Sequence, residues 1–181
     1  KNFSVKCQVD ESRRQMIRKN HTATHLLQAA LISVLGDHIK QAGSLVTEEK
    51  LRFDFAMDRR VESEELQRVE DHVNARIEQR LAVYTERVPL DKAMNGIRGL
   101  RAVFGESYPD PVRAGSIGRP VDELFVSAEG GPYEKDNGAD VSVELCGGTH
   151  VKSTLEIGSI KIGKIENKGR MNRRVNIILN D

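Results

Sequence analysis

The sequence predicts a fold that mixes α-helices with short β-strands, on two observations. Apolar residues recur every three or four positions from about 10 to 36 and again from 62 to 81, which is the spacing of amphipathic helices. Elsewhere, apolar and polar residues alternate in short stretches bounded by Gly and Pro, which is typical of half-buried strands. With 181 residues, the chain suits one domain with a substantial core.

Both predicted helices carry signals at their ends. Asp10, Glu11 and Ser12 are favourable at the positive end of the first helix, because acids and capping hydroxyls satisfy its free N–H groups. Gly36 is a natural stop for that helix. Acidic residues open the second helix at Glu62 in the same way.

The remaining elements are predicted to be short. A brief helical segment is expected at 90–94, an irregular polar connection at 37–44, and a mobile insertion at 127–140, where Gly and Asn turns replace apolar residues. The predicted strands cover 3–9, 45–46, 51–55, 82–88, 100–104, 112–117, 121–126, 141–145, 157–165 and 174–179.

Composition excludes several classes of protein. The net charge is only +1, so any nucleic-acid surface must arise by local segregation of charge. No apolar run reaches the roughly 18 residues that a membrane span requires. Of the two cysteines, Cys146 is needed for the proposed metal site described below, so we do not expect it to form a disulfide with Cys7. The sequence therefore favours a reducing compartment. The chain is therefore expected to be soluble.

Two histidines four residues apart are the strongest chemical feature. His21 and His25 fall in the first predicted helix, where positions i and i+4 share one face, so both imidazoles can reach the same atom. A single helical histidine is more often a packed or surface residue, with roughly a one-in-five chance of binding metal. A second pair of donors raises that expectation.

That second pair is Cys146 and His150, which are separated by a flexible Gly-Gly turn after a predicted strand. Two helical nitrogens with one sulfur and one nitrogen from a loop suit tetrahedral Zn²⁺. The pattern lacks the glutamate of HExxH metalloproteases directly after His21, and it contains no CxxC pair of the finger or ribbon type.

Two basic segments are candidates for RNA phosphate contact. Three arginines crowd the first half of the first helix, and five cations lie between the last two predicted strands with only Glu166 interleaved. Solvated surface is the plain alternative for both. The residues are Arg13, Arg14 and Arg18 in the first segment, and Lys164, Lys168, Arg170, Arg173 and Arg174 in the second.

The paired motifs identify a family resemblance. Residues 20–27 (NHTATHLL) together with 145–151 (LCGGTHV) closely resemble the editing domain of alanyl-tRNA synthetase. The same pair occurs in its free-standing trans-editing relatives and, more distantly, in the threonyl-tRNA synthetase editing domain. The likeness extends over most of the chain, including 34–36, 41–44 and 99–105.

The resemblance implies an α+β fold in which an antiparallel or mixed sheet packs with long helices, with a zinc site between a helix and a strand-end loop. It implies that His21, His25, Cys146 and His150 bind Zn²⁺. The implied reaction is hydrolysis of the ester joining serine, or secondarily glycine, to tRNA(Ala). The implied catalytic residues are Gln41, at a position that the family places in the editing pocket, and Cys146.

The resemblance also implies partners and domain limits. The expected partners are the acceptor end of tRNA(Ala) and the rest of a synthetase chain, in the cytoplasm or an organelle. Residues 1–9 are expected to be the end of a preceding barrel domain, and 10–181 the editing domain. Without an aminoacylation domain, this piece is not expected to charge tRNA, and its editing could be weakened by the missing barrel.

Several alternatives stay open at this point. The chain could be a free-standing trans-editing deacylase, or a zinc-stabilised tRNA-binding module without turnover. An unrelated zinc hydrolase is disfavoured by the missing HExxH glutamate. Four protein ligands are usual for structural zinc and three for catalytic zinc, so either one ligand is labile or the metal mainly holds the pocket.

Overall fold

The chain folds into an α+β structure with two antiparallel sheets. A computed structural model describes residues 3–97, 99–103, 106–125, 142–163 and 165–180. The helices are α1 Glu11–Leu35, α2 Ser63–Glu78 and α3 Leu90–Gly96. The strands are β1 Gln41–Val46, β2 Leu51–Ala56, β3 Val83–Val88, β4 Val112–Ile117, β5 Ser142–Leu145, β6 Ser159–Ile162, β7 Glu166–Lys168 and β8 Asn172–Asn180.

The larger sheet carries the main core. Its strand order is β1-β2-β8-β6, and β7 pairs with β8 as well. Phe53 lies opposite Val175 and Leu51 opposite Ile177, and all four are buried, so the alternation in β2 and β8 directs apolar side chains to one face. Buried residues of α1 and α2 join this core.

Both predicted helices form, and their ends follow the expected chemistry. The Asp10 carboxylate accepts a hydrogen bond from the backbone N–H of Arg13 at 3.0 Å, which caps α1. Gly36, with φ of 115°, ends it. At the start of α2, Glu65 accepts from the backbone N–H of Glu62 at 3.0 Å in a capping box.

The smaller sheet has the order β3-β4-β5 and a core of its own. Val112 and Ala114 of β4 pack there with Val143 and Leu145 of β5. Because β5 is one edge of this sheet, the loop that follows it emerges beside α1. The sheet thereby delivers Cys146 to the histidines of that helix.

Three of the strand predictions before residue 127 are wrong. Residues 3–9 form no strand, since no described segment pairs with them, and Phe3 and Val5 are 85% and 83% exposed. Among the described residues of 100–104, only an isolated bridge joins Arg101 to Glu144. In 121–126, a 3₁₀-helix spans Asp122–Leu124, because Val121 and Leu124 bury themselves at a spacing of three.

Other predicted boundaries shift. Residues 41–44 belong to β1 and pair with β2, where the prediction was an irregular connection. The predicted strand 157–165 begins as a 3₁₀-helix, Thr154–Ile157, and becomes extended only after Gly158, whose φ is 87°. The second basic segment is a hairpin that contains the unpredicted strand β7. The predicted mobile insertion 127–140 and Lys164 lie outside the described residues.

Candidate metal centre

Four side chains converge between α1 and the loop after β5, as the spacing predicted. The ligand atoms of His21, His25, Cys146 and His150 all lie within 4.8 Å of one another. Cys146 Sγ is 3.3 Å from His21 Nε2, although the two residues are 125 positions apart in the chain. The His21 and His150 rings are stacked with centroids 4.3 Å apart.

Two of the imidazoles are oriented by hydrogen bonds at Nδ1. His21 Nδ1 lies 3.1 Å from the carbonyl oxygen of Thr149, which can only accept, so this nitrogen carries the proton. His150 Nδ1 lies 3.1 Å from the hydroxyl of Thr22. In both rings Nε2 is therefore the nitrogen with a free lone pair, as a metal ligand requires.

The Thr22 hydroxyl fixes His150 because its own hydrogen is already used. It donates to the carbonyl oxygen of Arg18 at 2.9 Å, and it accepts from the backbone N–H of Val151 at 3.2 Å. It must then accept from His150 Nδ1–H. One buried hydroxyl on α1 thus holds both the ring and the backbone of the facing loop.

A carboxyl group lies behind the third imidazole. His25 Nδ1 is 3.5 Å from Glu144 Oε2, and both side chains are largely buried. Burial raises the pKa of Glu144 to about 7 and lowers the pKa of His25 well below its ordinary value. A carboxyl behind a histidine is the usual support of a metal-ligating imidazole.

The shape of the Cys146–His150 loop depends on Arg113 and Gly148. The Arg113 guanidinium on β4 donates to the carbonyl oxygens of Gly147, at 3.2 Å, and of Gly148, while the backbone N–H of Cys146 donates to the carbonyl oxygen of Arg113 at 3.0 Å. A Cβ on Gly148 would stand 1.9 Å from His21 Cε1. The loop can therefore approach α1 only with glycine at this position.

The donor set fits a zinc ion. His150 Nε2 is buried and has no hydrogen-bond partner among the described residues, so its lone pair points into the cluster unsatisfied. Burial lowers the pKa of His150 to about 3 and that of His21 below its ordinary value, which keeps both rings neutral. Burial also raises the pKa of the Cys146 thiol. Neutral imidazoles and one thiolate are the ligands that zinc accepts.

Gln41 lies outside the cluster of four side chains. It stands at the start of β1, where its side chain donates to the Ser44 hydroxyl at 3.4 Å, and it lines a cleft shared with Gln28 and Glu144. Gln28 is three residues after His25 on the same helix. Gln41 thus shares this cleft with Glu144, whose carboxyl lies behind His25.

The basic residues of α1 have acidic neighbours of their own. Arg13 forms an ion pair with Glu48 at 3.0 Å, and Arg18 with Glu11 at 3.4 Å. Arg14, also predicted to contact RNA, is half-buried on the same helix. This group lies beside the turn that precedes β2.

The second basic segment is also largely engaged within the chain. Lys168 forms an ion pair with Glu166 at 2.7 Å, and the Arg174 guanidinium donates two hydrogen bonds of 2.8 Å to the Asp54 carboxylate. Arg173 is only 7% exposed and donates to the carbonyl oxygens of Arg59, Arg170 and Asn172, while the Arg170 side chain is exposed.

The two basic groups lie at opposite ends of β2. Glu48, the partner of Arg13, comes just before Leu51, whereas Asn172 of the second segment pairs with Ala56. At 3.3 Å per residue, the strand separates them by about 16 Å. The structure therefore does not bring the two predicted RNA contacts together.

Sequence reasoning missed three residues that shape the site. Glu144 had a signal, since residues two apart in a strand point to the same side, which places it with Cys146. Thr22 lies between His21 and His25 in the sequence, and its hydroxyl orients His150. Arg113 had no local signal, because its bonds cross between strands distant in sequence.

Comparison with known proteins points to one family. The model for the threonyl and alanyl tRNA synthetase second additional domain matches residues 126–176. The mitochondrial alanine–tRNA ligase of Saccharomyces cerevisiae is 49% identical over 82% of the chain, the alanine–tRNA ligase of Streptococcus sanguinis 45% over 95%, and the cytoplasmic one of Dictyostelium discoideum 41% over 94%.

These relatives are much longer proteins. The chain spans only 14 to 17% of the length of the three. One of the three is named as a mitochondrial protein and another as a cytoplasmic one. Within the described part of the chain, no helix has the length and apolar character to cross a membrane.

Proposed function

Because the chain belongs to the family of alanyl-tRNA synthetase editing domains, we propose that it hydrolyses the aminoacyl ester of wrongly charged tRNA(Ala). Serine is the main proposed target and glycine the second. The observation that carries the proposal is the cluster of three imidazoles and one thiol, whose ligand atoms lie within 4.8 Å beside an open cleft.

Zinc is the proposed cofactor, held by His21, His25, Cys146 and His150. When bound, it lowers the pKa of a bound water to about 7 or polarises a carbonyl oxygen. The arrangement of the imidazoles supports zinc as the cofactor, because each ring already has a polar neighbour at Nδ1 and leaves Nε2 for the ion.

The chain's own residues have separate tasks in this proposal. Thr22 and Glu144 orient imidazoles, and Arg113 holds the loop that carries Cys146. Cys146 is proposed as a metal-bound catalytic residue, because it directly follows Leu145, which lines the cleft. An aminoacyl ester is already activated, so correct placement of water and carbonyl supplies much of what hydrolysis needs.

Rejection of alanine requires a polar partner for the extra hydroxyl of serine. A site that hydrogen-bonds a hydroxyl can reject an analogue without it by roughly 10⁴. Gln41 is proposed for this contact, because its side chain lines the cleft and donates a long hydrogen bond of 3.4 Å to the Ser44 hydroxyl. A Gln41→Ala variant should lose discrimination between Ser-tRNA(Ala) and Ala-tRNA(Ala), and unchanged discrimination would remove Gln41 from the pocket.

The decisive experiment measures deacylation of Ser-tRNA(Ala) by the purified chain, with zinc quantified in every sample. Ala-tRNA(Ala) serves as the substrate control and Cys146→Ala as the site control. We expect selective loss of the seryl ester that requires Cys146. Bound zinc without turnover would contradict hydrolysis.

That last outcome would favour the second candidate, a zinc-stabilised module that binds tRNA without turnover. The exposed side chains of Arg170 and Lys168 are the proposed phosphate contacts, with Arg13, Arg14 and Arg18 as a second group. In either case we propose that the partners are the acceptor end of tRNA(Ala) and the remainder of a synthetase chain. We also propose that residues 1–9 are the end of a preceding barrel domain.

A further inference from the structure

Three carboxylates lie in the wall of the cleft, which has a volume of about 790 Å³. They belong to Asp37, Glu106 and Glu144. The four metal ligands are not part of this wall, but Leu145 is, and the chain passes directly from Leu145 to Cys146. The three carboxylates are therefore candidates for contact with a molecule that reacts at Cys146.

Two of the three carboxylates act on Cys146 through their charge. Burial raises the pKa of the thiol, and the negative charges of Glu144 and Glu106 raise it further. Interactions between charges near the protein surface are largely screened beyond about 10 Å. Glu106 and Glu144 therefore lie close to the thiol.

Glu144 and Glu106 differ in how far they are open to a ligand. The Glu144 side chain is only 13% exposed, lies 3.5 Å from His25 Nδ1 and accepts a hydrogen bond from the Ser142 hydroxyl at 3.3 Å. The Glu106 side chain is exposed and lines the cleft. Of the two, Glu106 is the carboxylate that a molecule in the cleft can reach.

Tyr108 holds the Glu106 side chain in place. The Tyr108 hydroxyl accepts a hydrogen bond from the backbone N–H of Val103 at 2.8 Å, so its own hydrogen is directed elsewhere. It forms a side-chain hydrogen bond with Glu106, in which the hydroxyl donates to the carboxylate. The backbone N–H of Glu106 in turn donates to the carbonyl oxygen of Val103 at 3.4 Å. Glu106 is thus an exposed carboxylate with a fixed position.

We propose that Glu106 binds the α-amino group of the aminoacyl ester, and that Tyr108 is the positioning residue for this contact. The inference rests on the proposed function for the identity of the ester, and it deepens that function by assigning a residue that recognises the amino acid. The α-amino group is bonded to the carbon next to the ester carbonyl, so a carboxylate close to Cys146 can reach it while the carbonyl lies at the metal centre. A protonated amino group and a carboxylate form a charge-assisted hydrogen bond.

The first test measures binding without hydrolysis. The probes are two RNA microhelices whose 3′ ends carry, through an amide bond, either serine or glyceric acid, in which a hydroxyl replaces the α-amino group of serine. Calorimetric titration of the zinc-loaded chain should show that the seryl probe binds about 10- to 100-fold more tightly, as expected for a hydrogen bond between charged groups. In Glu106→Gln this preference should disappear while binding of the glyceryl probe is unchanged.

Three further variants separate the contact from a general effect of charge. Glu106→Asp should retain part of the preference, and Tyr108→Phe, which removes only the hydroxyl, should reduce it by several-fold. Asp37→Asn removes a different carboxylate from the wall of the same cleft and is the matched control, in which the preference should equal that of the wild-type chain. Equal losses in Asp37→Asn and Glu106→Gln would contradict a specific contact.

The second test compares hydrolysis of Ser-tRNA(Ala) with that of the same tRNA carrying glyceric acid as an ester. Glu106→Gln should lower kcat/KM for the seryl ester by about 10- to 100-fold and leave that for the glyceryl ester unchanged. The proposal is overturned if the wild-type chain binds the two amide probes equally or binds neither, or if Glu106→Gln keeps the preference for the seryl probe. Preference for the seryl probe through Glu106 without any hydrolysis would count against the proposed function alone, because the titrations need no turnover.

Discussion

The metal centre and the two basic groups make opposite kinds of contact. At the metal centre, side chains from distant parts of the chain converge, and His150 Nε2 is left without a partner among the described residues. In the basic groups, cations are matched within the chain, as Arg13 is by Glu48 and Arg174 by Asp54.

This difference shows how a functional site can be distinguished from an ordinary charged surface. Arginines and lysines that are close together in sequence can be fully engaged in hydrogen bonds that hold strands and turns. Arg173, for example, donates to three carbonyl oxygens. Convergence of distant residues on one point, with an unsatisfied polar atom left over, costs stability unless a ligand completes it. It is therefore the stronger sign of function.

The largest effect should come from a methyl group placed in the loop of the metal centre. In Gly148→Ala the new Cβ would collide with the His21 ring, so zinc affinity should fall by more than about 100-fold and hydrolysis should be lost. Gly147→Ala is the matched control, because a Cβ there meets nothing within 4 Å. Metal titration of both variants checks the contrast, and equal affinities would show that the loop approaches α1 differently.

A smaller loss should follow from removing the Thr22 hydroxyl. Thr22→Val keeps the shape of the side chain but frees His150 Nδ1 and the Val151 N–H, so zinc affinity should fall by about 10- to 100-fold. Thr22→Ser keeps the hydroxyl and should restore most of the affinity. If Val and Ser variants bind zinc equally, Thr22 only fills space.

Zinc affinity should rise with pH with a defined slope. The pKa of the Cys146 thiol is raised by burial, so the metal-free thiol is protonated near neutrality and must lose its proton on binding, whereas the lowered pKa values of the histidines leave them neutral. Apparent affinity should therefore increase about tenfold per pH unit between about pH 6 and 8. Competition with a chelator measures this dependence of zinc affinity on pH, and its slope should flatten in Cys146→Ala. The Glu144→Gln variant shows how much of the slope comes from the Glu144 carboxyl.

The mildest contrast concerns two neighbouring arginines. Arg170→Gln should leave stability unchanged, reduce tRNA affinity modestly and lower the salt slope of binding by about one. Arg173→Gln should cost about 1–3 kcal/mol of unfolding free energy, because it removes the hydrogen bonds that the buried guanidinium donates to the carbonyl oxygens of Arg59 and Asn172. Denaturant titration and salt-dependent tRNA binding together check this, and the reverse pattern would reassign Arg173 to RNA contact.

The parts of the fold that sequence predicted are those governed by local rules. The stripe and caps of α1 depend on neighbours within a few residues, so its limits at Asp10 and Gly36 were found. The convergence of His21, His25, Cys146 and His150 was predicted because zinc accepts few side-chain types, and all four were present in paired motifs. Gln28 follows His25 by three positions on α1, and the structure places it on the cleft.

The parts that were not predicted depend on contacts across the chain. Alternation in 3–9 is the same pattern as in β2, but only β2 has a partner strand among the described residues. Residues 41–44 show no alternation of apolar and polar side chains, yet they are extended because β2 pairs with them. Arg113 acts on Gly147 from 34 residues away, and no periodicity encodes that.

The loop Cys146–His150 is also the place where the chain passes from one core to the other. Leu145 belongs to the core of the smaller sheet and Val151 to that of the larger, while His21 and His25 lie on the helix covering the larger. An ion held there would crosslink two cooperative units, since binding to the native state alone raises its stability. On chelation, amide hydrogen exchange should then accelerate in β3, β4 and β5 before it accelerates in β2 and β8. The ion would in that case stabilise the contact between the two cores in addition to its proposed chemical role.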